Sequence, residues 1–139
     1  ERFAADAAQL ADKMGARFVR PGMLSPADAD ALENSADVLV SLGNAYDNQM
    51  PSKLFGYFAT GKPVLHLAVS ESDPTLPYLA RYPLALVLHT GEGVTPGVVA
   101  KLDKWLHDVK GKHLPFAEVA KLYPEFTPEK VAEAFLRGM

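Results

Sequence analysis

The sequence predicts an α/β protein built on a mainly parallel sheet, and three observations carry that expectation. Short apolar runs alternate with stretches whose apolar residues recur at helical spacing. Two of those runs, residues 37–42 and 63–69, are separated by a single short helix pattern, which is the arrangement of a βαβ unit. Proline and glycine stand at most of the joins, where helices start and stop.

Phe3, Ala7, Leu10 and Met14 share one helical face, and Gly15 supplies the stop. Residues 17–20 form a strand candidate closed by Pro21-Gly22. Ser25 is placed to cap a second helix, with Pro26 at its first position and Asp28 completing an S-x-x-D box; it runs to about Ser35. Strand 37–42, a polar loop over 43–50, a helix over 51–60 and strand 63–69 follow. Pro74 and Pro77 bracket a loop and a short helix ending near Arg81, before a fourth strand at 84–89. From Thr95-Pro96 onward the pattern is helical. Val99, Leu102, Leu106 and Val109 share a face, Lys110-Gly111-Lys112 breaks it, and two short helices cover 115–122 and 127–136.

Composition excludes several classes. The chain has 139 residues, 48% hydrophobic and 22% charged, which suits one ordinary globular domain. Its net charge is −3, with 14 basic residues spread along the chain, so no basic patch marks a nucleic-acid or anionic-lipid partner. There are no cysteines, which excludes disulfides and thiolate metal sites and suits a reducing cytoplasm. No apolar run reaches the roughly 18 residues of a membrane span. The opening at Glu1, without an initiator Met or a signal peptide, leads us to expect an excised fragment.

Chemistry concentrates around the helix at 51–60. In a parallel sheet, ligands bind outside the carboxyl ends of the strands. Ser52 and Lys53 fall in the helix's first turn, where free N–H groups and the helix dipole favour an anion. A phosphate site is expected there. Ser52 as a plain cap and Lys53 as a solvated lysine is the alternative. Pro51 presets the helix start, and Gly61 with Pro63 fixes the return into the next strand.

The segment from Ala36 to Leu67, ADVLVSLGNAYDNQMPSKLFGYFATGKPVLHL, resembles the donor-nucleotide segment of GT-B glycosyltransferases of the retaining class. The resemblance rests on Pro51, Ser52, Lys53, Leu54, Phe55, Tyr57 and the run Gly61-Lys62-Pro63-Val64. It implies a partial, Rossmann-like, nucleotide-sugar-binding domain over residues 1–95, with helices over 96–139 packing on the same domain. It implies Lys53 as the catalytic cation facing the donor diphosphate, Ser52 on the same phosphate, and Asn44, Asp47 and Asn48 near the sugar or base. No metal or cofactor is implied; the nucleotide diphosphate sugar is the substrate, and its acceptor is unspecified. In such a domain the strands at 17–20 and 37–42 would pair with strands that have no counterpart here. Rearrangement, excision from a larger chain or self-association through those edges is therefore expected.

The sequence departs from the family at Gly56, where a glutamate usually binds the ribose hydroxyls, and at Asn48, where an acid is common. That departure favours a second expectation, a degenerate GT-B-like interaction module without activity. Sugar-nucleotide 2-epimerases share the fold and form a third.

Remaining polar residues carry less. His66 lies inside an apolar strand and reads as a core histidine, whereas His89 closes a strand at its ligand-facing end. Glu71, Ser72 and Asp73 follow strand 63–69, where they either face the same crevice as the candidate site or, as the default reading, form a solvated loop. His107 and His113 read as exposed tail residues. Trp105 reads as core or interface. The sequence has no H-E-x-x-H, Walker loop, G-x-G-x-x-G or G-x-S-x-G.

Overall fold

The structure is a computed structural model that describes residues 2–46 and 48–137. It divides into two compact units, Glu1–Asn34 and Ser35–Met139.

The first unit holds helix α1 (Arg2–Met14), a 3-10 turn at Gly15–Arg17 and most of helix α2 (Pro26–Ser35). Gly15 ends α1 with a positive φ of 56°, a conformation that costs glycine little. At the start of α2 the Ser25 hydroxyl accepts from the Asp28 N–H at 3.2 Å and donates to the Asp28 carboxylate at 2.6 Å. The expected cap is thus in place. The expected strand at 17–20 is not. Phe18 N–H folds back onto the Gly15 carbonyl at 3.0 Å, and Val19 stands 76% exposed. Four residues cannot hold a strand without a neighbouring ladder and a face to bury.

The second unit holds three strands, β1 (Leu39–Leu42), β2 (Val64–Ala68) and β3 (Ala85–His89), in the order β1-β2-β3 and parallel throughout. Helices α3 (Lys53–Ala59) and α4 (Leu76–Leu79) make the crossovers, and α5 (Pro96–Val109), α6 (Phe116–Leu122) and α7 (Pro128–Arg137) follow. The protein is therefore α/β, a small parallel sheet with flanking and carboxyl-terminal helices.

Register sets the two faces of the sheet. Leu39, Val64 and Ala85 align, as do Ser41, His66 and Val87. On this face Leu39, Ser41, Val64 and His66 are buried. The opposite face is wholly aliphatic: Val40, Leu65 and Leu86 form one row, and Leu42, Leu67 and Leu88 the next. Val40 and Leu42 are exposed there, on the strand that forms one edge of the sheet.

The core lies around α3. Phe58 is 1% exposed and its ring sits 4.6 Å from Tyr82 and 5.0 Å from Tyr123, stacked on both. Leu54 on the same helix is fully buried and joins Val64, Leu79 and Leu84. The run Gly61-Lys62-Pro63-Val64 knots this core together. Lys62 Nζ donates to the Ala36 carbonyl at 2.7 Å, its own carbonyl accepts from the Tyr82 hydroxyl at 2.9 Å, and the Pro63 carbonyl accepts from Leu39 N–H at 3.0 Å. Those bonds give the run a structural role.

Candidate functional site

Parallel pairing gives the sheet one carboxyl edge, where β1 runs into Gly43 and β2 into Val69. Gly43 N–H donates to the Leu67 carbonyl at 2.9 Å and extends the β1–β2 ladder one residue past the strand. The polar loop begins at the next residue. Asn44 Nδ2 donates to the Gln49 carbonyl at 3.3 Å, and Gln49 N–H donates to Tyr46 at 3.4 Å, so the loop is pinned at both ends. Asn48 is exposed at its turn. Asp47 lies outside the described residues.

The loop returns through Pro51 directly into α3. The Pro51 carbonyl accepts from Leu54 N–H at 3.2 Å, which winds the first turn, and regular helix begins at Lys53. Ser52 stands at the cap position with helical dihedrals of −60° and −30°, and its hydroxyl makes no capping bond. Ser52 and Lys53 are both exposed. Asn44, Asn48, Ser52 and Lys53 thus share the one segment that leaves the carboxyl end of β1. One turn on, a Cβ built at Gly56 meets nothing within 4 Å. A Cβ has room there, so glycine is not a packing requirement.

Beside this loop lies a cluster that the sequence did not announce. Asp73, expected in a solvated loop, is 3% exposed. Its Oδ2 accepts from His66 Nε2 at 2.9 Å, and its Oδ1 accepts from the Thr75 hydroxyl at 2.6 Å and the Thr75 N–H at 2.9 Å. Burial pushes the Asp73 carboxyl upward, but the bonds from the Thr75 hydroxyl and His66 outweigh it and hold the group below the usual 3.8. His66 is fully buried, as its apolar strand implies, and its Nδ1 has no partner among the described residues. The signal that could have found this cluster is the run Asp73-Pro74-Thr75. An aspartate bonding the backbone two residues on is a common turn device.

Farther along the same edge, His89 Nδ1 at the end of β3 lies 3.3 Å from Glu71 Oε1. The pair lies at the surface, with Glu71 exposed; Ser72 instead bonds locally to Ser70 at 2.8 Å. His107 and His113 are exposed on the carboxyl-terminal side of the chain. Trp105 packs against the core with its indole N–H buried. Among the described residues no group of three His, Asp or Glu side chains is arranged to hold a metal ion, and no helix is long and apolar enough to cross a membrane.

Fold and site define an α/β protein with a parallel sheet and a polar loop at its carboxyl edge. Compared with models of known families, with curated proteins and with solved structures, the chain matches none.

Proposed function

We propose that this chain is the donor-nucleotide-binding part of a GT-B-like glycosyltransferase, which moves a sugar from a nucleotide diphosphate sugar to an acceptor. One observation carries the reading. The segment that resembles those enzymes is a parallel strand–loop–helix–strand unit, with Ser52 and Lys53 entering α3 straight from the loop at the carboxyl end of β1. Ligands of such sheets sit at that edge.

In this reading Lys53 and Ser52 bind the diphosphate, and Asn44, Asp47 and Asn48 contact the sugar or base. As the bond from the anomeric carbon to the β-phosphate oxygen breaks and the bond to the acceptor oxygen forms, negative charge grows on the departing diphosphate. An ammonium held there offsets that charge without a metal, an effect of about several kcal/mol when the site is closed to water. In the resembling enzymes a separate amino-terminal domain holds the acceptor, so the chain alone binds donor without turning it over. The absence of cysteine and of any long basic run supports a cytoplasmic protein with a small-molecule partner, not a nucleic acid. The open β1 edge, with Val40 and Leu42 exposed, supports self-association.

Gly56 favours a second reading, a non-catalytic module of the same fold, since no carboxylate stands there for the ribose. Calorimetric titration with UDP, GDP and ADP tests both. The first reading expects saturable binding by at least one nucleotide and tighter binding by Gly56→Glu, whose Cβ would meet nothing within 4 Å. No heat from wild type or Gly56→Glu supports the second.

A further inference from the structure

We propose that Asp73 is a positioning residue that sets where the candidate loop leaves the sheet. Its carboxylate is the point at which three pieces of chain meet. His66 comes from β2 and Thr75 from the segment that follows β2, as described above. The third piece is Gly43. A Cβ on Gly43 would stand 2.5 Å from Asp73 Oδ2, 3.1 Å from the Leu67 carbonyl and 3.2 Å from Ala68 Cα. The carboxylate therefore occupies the space that a side chain at Gly43 would need, and only glycine lets β1 and β2 close over it. Asn44, the first residue of the loop, follows immediately.

The chemistry of the cluster is all or none. A buried carboxylate without donors is expensive, and here three donors converge on it from two residues. A carboxylate only accepts, so the ring of His66 carries its hydrogen on Nε2. Thr75 gives its hydroxyl hydrogen to Asp73 Oδ1, and its oxygen faces the same Nε2 at 3.3 Å. Nδ1 has no partner among the described residues. The tautomer of one buried imidazole thus reports whether the latch is set.

Asp73→Asn tests it. The amide turns its oxygen to the two donors of Thr75 and its NH2 to His66, so the imidazole must become an acceptor at Nε2. Nitrogen-15 NMR is expected to show the Nε2–H form in the wild type and the Nδ1–H form in Asp73→Asn. Hydrogen exchange at Gly43 and Asn44 is expected to rise about tenfold or more, while Val64 N–H, bonded to Leu84, keeps its rate. Thr75→Ser, which keeps both donors, should behave as wild type in both measurements. A wild-type Nδ1–H ring, unchanged exchange at Gly43 and Asn44, or loosening spread evenly over the sheet overturns the proposal.

The binding arm rests on the donor-site reading: affinity of Asp73→Asn for a nucleoside diphosphate should fall about tenfold. Equal affinity in wild type and variant overturns positioning and leaves the donor site standing. If the wild type binds no nucleotide, the donor reading falls and the exchange data alone decide. Should Asp73→Asn not fold, Thr75→Val removes one donor and keeps the carboxylate, and unaltered Gly43 and Asn44 exchange in that variant overturns the latch.

Discussion

Leu114 N–H donates to the Gly61 carbonyl at 2.8 Å, and a Cβ on Gly61 would overlap the Leu114 carbonyl. The turn that ends α3 is thus also the seat for the chain entering α6. Gly61 has a φ of 72° as well, so any other residue there meets both backbone strain and a backbone oxygen. Gly61→Ala is expected to cost about 2 kcal/mol or more, measured by urea unfolding. A cost below about 0.5 kcal/mol would show that the segment from Leu114 onward does not dock there.

Gly56 behaves oppositely. It lies inside α3, is exposed, and has open space where a Cβ would stand. Gly56→Ala should therefore stabilise the protein by about 0.5–1 kcal/mol through helix propensity alone. A destabilised variant would mean that the α3 surface is covered by something the chain needs.

Phe58 is the centre of the aromatic stack between Tyr82 and Tyr123. Its ring is 1% exposed, so Phe58→Ala should leave a cavity and cost about 3–5 kcal/mol. Phe58→Leu should recover part of that loss. Chemical denaturation of the two variants side by side measures the difference, and equal stability of both with wild type would refute the stack as core.

Stability should fall at both ends of the pH scale. Burial pushes the Tyr82 phenol up to about 12 from an ordinary 10.0 and raises Tyr123 as well. Both are held neutral by the fold, so their contribution is whole below the unfolded value of about 10 and is lost as pH rises through the folded one. Tyrosinate absorbance and loss of the circular dichroism signal should then rise together above about pH 10. Asp73 runs the other way, because its folded value is depressed. Its contribution is present above the unfolded value of about 3.9 and is lost as pH falls toward the folded one, and Asp73→Asn should flatten that acid limb.

The parallel sheet was legible because the runs at 39–42, 64–68 and 85–89 are short, apolar and bounded by proline, glycine or polar clusters. The cap at Ser25 and the helix start at Thr95-Pro96 were legible for the same local reason; the structure adds that Thr95 Oγ1 accepts from Val98 N–H at 3.2 Å. Residues 17–20 misled because a short run holding Phe18 and Val19 and closed by Pro21-Gly22 looks like a strand, yet it joins no ladder among the described residues. Residue type and turn punctuation are local, whereas pairing is not. Asp73 misled for a related reason. Its neighbours Glu71 and Ser72 are polar and exposed, and only the fold brings it against His66 and Gly43. The segment 44–53 was legible as a candidate site from residue type and place, since it needed only the order strand, loop, helix.

The most direct test of the donor-site account is an amide NMR titration of the chain with UDP, GDP and ADP, run on wild type and on Lys53→Ala. The account expects shifts centred on Ser52, Lys53 and the loop 44–49, saturating with at least one nucleotide and lost or weakened about tenfold in Lys53→Ala. Undisturbed spectra at all nucleotide concentrations, or shifts that survive unchanged in Lys53→Ala, would contradict it.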